Sequence, residues 1–196
     1  MGTASIDLGL PDLYAQALEV TRGVVARLGP DQWGTRVETA GTDVRRLVNH
    51  IVSGNLEVPP LVAGESLREV RARYAGDLLD DDPLGAYERA AAIAVTAFRA
   101  PGALEAPCDM DGTGSSRPGS DYCANRFVDV LVHGWEIAKV TGQDTRLDQE
   151  LAESARAVIE PEILMLRKNG IIKDQLEVPE DADPQTRLLA LFGFSD

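Results

Sequence analysis

Apolar residues recur at steps of three and four along most of this chain, the spacing of one buried face on an α-helix. Leu13, Ala17, Val20, Val24 and Leu28 form the first stripe, opened by Pro11 and ended at Gly29-Pro30. A second helix is predicted from a cap at Thr42 or Asp43 through His50 towards Val58, where Pro59-Pro60 kink or close it. A third, rich in alanine, spans roughly Leu84 to Arg99, with the acidic run Asp80-Asp81-Asp82 placed to oppose its dipole. The fourth runs from about Ser120 to Val140 and stops at Gly142. The fifth follows Thr145 and continues to Lys168, with Asn169-Gly170 as its ending and Pro161 expected to kink or divide it.

Between these stripes the pattern is weaker. Residues 31–41 read as a loop with Trp33 folded back on the core, and Ser66 to Asp82 has mixed periodicity. Residues 107–120 are rich in Gly, Ser and Pro and are expected to hold no regular element. The tail offers a short extended piece at Gln175–Val178, a turn at Pro179–Pro184 and a last helix over Gln185–Phe192. No repeat or linker divides the chain, so residues 1–196 are expected to form a single all-α domain, a four-helix bundle with additional short helical segments.

Composition narrows the function classes. Aromatic residues make up only 5%, so the core rests on Ala, Val, Leu and Ile, which suits closely packed helices. A net charge of −13 and the absence of any Lys/Arg cluster argue against a nucleic-acid partner and against docking on an anionic membrane. No apolar run is long enough to span a bilayer, and the N-terminal residues lack the regions of a signal peptide, so a cytoplasmic location is expected. Cys108 and Cys123 are read as unpaired thiols.

The candidate chemistry lies with the two histidines. His133 follows Asp129 by four residues, so both share one helix face, and Val128 to Val132 around the carboxylate are otherwise apolar. A buried carboxylate needs a partner. A divalent cation held by His50, Asp129 and His133 is one such partner, and two histidines with one carboxylate leave positions open for a ligand. Glu136, three residues after His133, is an alternative ligand or an outer hydrogen-bond partner for the imidazole. Arg46 and Arg126 are candidates to orient an anionic group. The competing reading makes both histidines ordinary core residues, with Asp129 paired to His133 or Arg126.

The segment Asp43-Val44-Arg45-Arg46-Leu47-Val48-Asn49-His50-Ile51-Val52-Ser53-Gly54-Asn55 resembles the first metal-histidine motif of the DinB-like superfamily. Its nearest branch is named for the metal-binding domain of mycothiol-dependent maleylpyruvate isomerase. Asp129-Val130-Leu131-Val132-His133-Gly134-Trp135-Glu136-Ile137-Ala138 resembles the second signature, and residues 178–193 are similar to the ending of short single-domain members. The resemblance implies a DinB-like four-helix bundle in which His50, Asp129 and His133 hold a divalent ion, zinc first, with nickel or iron as alternatives. It also implies a thiol cofactor such as mycothiol and a transferase or isomerase reaction on a small electrophile. A non-haem Fe(II) enzyme and a non-catalytic binding protein are the other readings, and exposed helix faces leave room for a homodimer. This chain departs from the isomerase pattern at Asp129, where the isomerase has Glu, and at Glu136, where Asp is usual. It departs again at Phe194, where Arg is usual, and at Thr42, which stands where a tryptophan is often found.

Overall fold

The computed structural model describes residues 9–168 and 175–195. Four long helices carry the core: α1 (Leu10–Val25), α2 (Val44–Leu56), α5 (Pro83–Phe98) and α6 (Gly119–Val140). Three of them begin where the chain supplies a start signal. Pro11 sits in the first turn of α1, while the Asp43 carboxylate accepts a hydrogen bond from Arg46 N at 2.8 Å to cap α2. Asp82 caps α5 through Gly85 N at 3.0 Å, so the last residue of the acidic run does what its position suggested.

In the bundle, α1 packs along α6 and α2 along α5, and contacts of α1 with α5 and of α2 with α6 close the ring. This is the four-helix bundle expected from the sequence. The α1–α6 seam is tight because its residues are small. A Cβ on Gly134 would lie 2.2 Å from Thr21 Oγ1, and that hydroxyl donates to Val130 O at 3.0 Å. The alanines of α5 serve the same end, with Ala90 and Ala94 fully buried. Tyr14, Tyr87, Phe98 and Phe127 are the largest side chains wholly inside the core.

Further helices dress the bundle, three short ones, α3 (Val58–Val62), α4 (Leu67–Arg73) and α8 (Pro184–Leu191), and the long α7 (Gln149–Lys168). The pair α7–α8 leans on α6, and Gln185 ties it down by accepting from Leu147 N at 2.7 Å. Pro59-Pro60 do close α2, yet they also open α3, because a proline in a first turn lacks only a donor that has no helical partner there. Pro161 does not divide α7, which runs through it with the ring facing solvent. The expected ending at Asn169-Gly170 lies outside the described residues.

Two expectations are corrected. Residues 31–41 and 107–120 contain regular structure, in the form of small antiparallel hairpins. Strand β1 (Arg36–Val37) pairs with β2 (Thr42–Asp43), and β3 (Pro107–Asp109) pairs with β4 (Ser116–Pro118). The glycine-rich stretch forms only the tip of the second hairpin, where Gly112 and Gly114 take positive φ values. The flanks pair because doing so buries Cys108 while keeping the backbone bonded. Gln175–Val178 forms no strand, although Leu176 N donates to Ala190 O at 3.1 Å. Both cysteines are free, as read from the sequence, and both are buried.

Candidate metal centre

His50 projects from the middle of α2, one turn after Arg46 and one turn before Gly54. Asp129 and His133 project from the middle of α6, one turn apart. The contact between α2 and α6 brings the three side chains together, with one donor atom of each lying within 4.8 Å of the other two. The imidazole rings meet edge to face with centroids 5.3 Å apart. His50 Nε2 lies 3.5 Å from Asp129 Oδ1, and His133 Nε2 lies 3.3 Å from the same oxygen. Two ligands of a tetrahedral ion, each at about 2.0–2.1 Å, sit about 3.3–3.4 Å apart. The donor set and these separations therefore fit one small divalent ion.

The remaining polar atoms of Asp129 and His133 are held from behind. Asp129 Oδ2 accepts from Arg126 Nη1 at 2.8 Å, which leaves Oδ1 to the histidines. His133 Nδ1 lies 2.6 Å from Glu136 Oε2. An ionised carboxylate only accepts, so Nδ1 carries the proton and Nε2 is the nitrogen turned to the centre. The other Glu136 oxygen accepts from the Thr39 hydroxyl. Glu136 is more deeply buried than Asp129, but it lies on the outer side of the imidazole, where it steers His133 and does not face His50.

Charge follows this geometry. Burial pushes the Asp129 carboxyl up, but Arg126 and His133 outweigh it and hold the group well below the usual carboxylate range. Burial pulls the His133 imidazole down, whereas the Asp129 and Glu136 carboxylates raise it to about 10. The same two carboxylates that strengthen the hold of Nε2 on a proton strengthen its hold on any cation placed there.

Arg126 is buried against α2, with Nη2 donating to Ile51 O at 3.3 Å and to Asn55 Oδ1 at 3.2 Å. Asn55 Oδ1 also accepts from Tyr14 OH at 2.6 Å. Gly54 makes this possible, since a Cβ there would stand 2.5 Å from the guanidinium carbon. Arg46, the other arginine singled out in the sequence, is exposed beside Asp43. It lines a separate pocket with Trp33, Arg45, Asn49 and Asp77 that includes none of the three ligands.

A pocket of about 330 Å³ opens beside the triad, lined by His50, Gly54, Asp129 and Arg126 together with Glu57, Leu67, Arg71, Met110 and Tyr122. Sequence reasoning missed Arg71, Met110 and Thr39, which come from a short helix and from the two hairpin loops. Their proximity depends on tertiary packing, and no local spacing signals it. No helix among the described residues is long and apolar enough to cross a membrane.

The sequence profile of the mycothiol maleylpyruvate isomerase N-terminal domain matches residues 14–138, from α1 through the part of α6 that carries Asp129 and His133. Two uncharacterized proteins of Mycobacterium tuberculosis, from strains CDC 1551 / Oshkosh and ATCC 25618 / H37Rv, are each 30% identical over 184 residues. That alignment covers 92% of this chain and 94% of each relative. No solved structure matches the chain.

Proposed function

This chain belongs to the mycothiol maleylpyruvate isomerase N-terminal domain family, and from that premise we propose that it binds one divalent cation through His50, Asp129 and His133 and uses the site for thiol chemistry on a small electrophile. The observation that carries the reading is the convergence of both Nε2 atoms on Asp129 Oδ1, at 3.5 and 3.3 Å. Zinc suits two imidazoles and a carboxylate, and three protein ligands leave room for an exogenous one. A cation bound there would supply Lewis acidity, favouring the thiolate of a cofactor such as mycothiol over its thiol at neutral pH.

The chain's own residues have separable tasks in this reading. Glu136 fixes the His133 tautomer and orientation, as outer partners of ligating histidines commonly do. Arg126 keeps Asp129 ionised and turns Oδ1 towards the centre. Tyr14 and Asn55 hold the guanidinium in place. Leu67, Met110 and Tyr122 give the pocket apolar surface for the carbon skeleton of a small ligand.

A thiol-transfer assay tests the proposal. Purified protein supplied with zinc, mycothiol and a reactive small electrophile is expected to form the thioether conjugate faster than the uncatalysed reaction, and His50→Ala is expected to abolish the excess. Equal rates with wild type and His50→Ala would reject the catalytic reading in favour of a binding protein. The same ligand set also suits Fe(II), and oxygen consumption dependent on added Fe(II) would move the assignment there.

A further inference from the structure

Glu136 is a buried carboxylate whose two oxygens are held from distant parts of the chain. Its side chain is 2% exposed. Oε2 lies 2.6 Å from His133 Nδ1 on the same helix, and Oε1 accepts from the hydroxyl of Thr39, 97 residues away. Thr39 stands at the tip of the β1–β2 hairpin, in a turn closed by Gly41 N, which donates to Glu38 O at 3.2 Å, with Gly41 at a φ of 65°. Below the tip, Val37 of β1 is wholly buried, and β1 packs on α6. The same hairpin is bonded to α2, the helix of His50. Strand β2 ends in the Asp43 cap, Val44 N donates to Thr35 O at 3.0 Å, and Arg45 N donates to Trp33 O at 2.9 Å. One short hairpin therefore holds both the start of the helix that carries His50 and the carboxylate that steers His133.

We infer that Thr39 is a positioning residue for the metal centre: its hydroxyl fixes the Glu136 carboxylate, and through it the hairpin sets the α6 histidine against the α2 histidine. The inference rests on the triad being a cation site. The terminal torsion of a glutamate has broad wells, so a carboxylate held through one oxygen can turn and carry the imidazole with it. A bond to each oxygen removes that freedom. The donor is needed on its own account as well, since a buried carboxylate oxygen left without one bears its desolvation penalty. Threonine suits the place, supplying the hydroxyl on a side chain whose branched Cβ restricts χ1. Valine keeps that shape without the donor, and serine keeps the donor without the methyl group. The two substitutions thus separate the hydrogen bond from packing.

Zinc affinity is measured by chelator competition for the full chain as wild type, Thr39→Val, Thr39→Ser, Glu136→Ala and the double variant of Thr39→Val with Glu136→Ala. The Nδ1 proton of His133 is followed by NMR in a His50→Ala background, where it belongs to the one remaining histidine of the two. Thr39→Val is expected to lower zinc affinity about tenfold, the smaller end of the loss when an outer partner of a metal histidine is disturbed. Thr39→Ser is expected to keep most of the affinity. The double variant is expected to bind as Glu136→Ala does, because Thr39 acts only through that carboxylate. The Nδ1 proton is expected to exchange with solvent faster in Thr39→Val than in Thr39→Ser or the parent. Unchanged affinity in Thr39→Val, a loss that Thr39→Ser shares in full, or losses that add in the double variant would each overturn the inference while leaving the cation site standing. Wild-type protein that binds no zinc overturns the metal reading. Faster Nδ1 exchange in Thr39→Val then still identifies Thr39 as the residue that positions His133, whereas exchange equal to the parent overturns that too.

Discussion

Glu136 Oε2 lies 2.6 Å from His133 Nδ1, on the side of the imidazole opposite Asp129. The ring is thereby fixed with one nitrogen committed and the other presented to His50 and Asp129. Replacing Glu136 by Ala removes the partner of Nδ1 and frees the ring to turn. Zinc affinity is expected to fall about 10- to 100-fold, the usual loss when the outer partner of a metal histidine is removed. Competition against a chromophoric chelator measures it, and an unchanged affinity would show that Glu136 does not position the ring.

Asp129 and His50 are expected to separate in their effect on stability. Arg126 is buried and has the Asp129 carboxylate as its charged partner, so Asp129→Ala leaves a cation inside the bundle held only by neutral acceptors. A loss of about 3 kcal/mol is expected in chelator-treated protein. His50 has a side chain 54% exposed, and His50→Ala is expected to cost less than about 1 kcal/mol. Urea unfolding of both variants at pH 7 checks the contrast.

Gly54 is required by what lies over it. A methyl group there would meet the Arg126 guanidinium at 2.5 Å, and a buried side chain with three partners has little room to retreat. Gly54→Ala is expected to destabilise the fold by about 1–3 kcal/mol, although alanine favours helix more than glycine does. A variant more stable than wild type in urea would show that the guanidinium shifts freely.

Cys123 makes stability depend on pH in the alkaline range. Burial pushes its thiol from an ordinary 9.0 up to about 12. The folded state therefore keeps a proton that the unfolded state releases above pH 9, and stability falls as pH rises from there towards 12. The stabilising contribution is fully present below pH 9. The slope approaches about 1.4 kcal/mol per pH unit for this one group. Cys123→Ala is expected to flatten the stability profile between pH 9 and 10 relative to wild type, measured by urea unfolding at each pH. Parallel profiles would contradict the assignment.

The long helices were legible because each has a periodic apolar face, and α1, α2 and α5 add a local start signal at Pro11, Asp43 and Asp82. The relation of Asp129 to His133 and Glu136 was legible for the same reason, being a matter of spacing on one helix. The sequence also placed Arg126 within reach of Asp129, but not its burial, which depends on Gly54 of a different helix. The β3–β4 hairpin was hidden because its glycine-rich tip dominates the composition of the segment, while the pairing of Cys108 with Arg117 is set by the fold. Arg71 was hidden in the same way. Its place in the pocket comes from α4, held where Leu67 N donates to Asp109 of the hairpin, and such an anchor leaves no periodic trace.

The central claim is that His50, Asp129 and His133 form one cation site, and elemental analysis tests it most directly. Protein purified without a histidine tag is expected to carry about one divalent ion per chain, zinc foremost, with His50→Ala and His133→Ala carrying none. Wild-type protein that is metal-free, and stays so after zinc, nickel or iron is added back and the excess removed, would contradict the account.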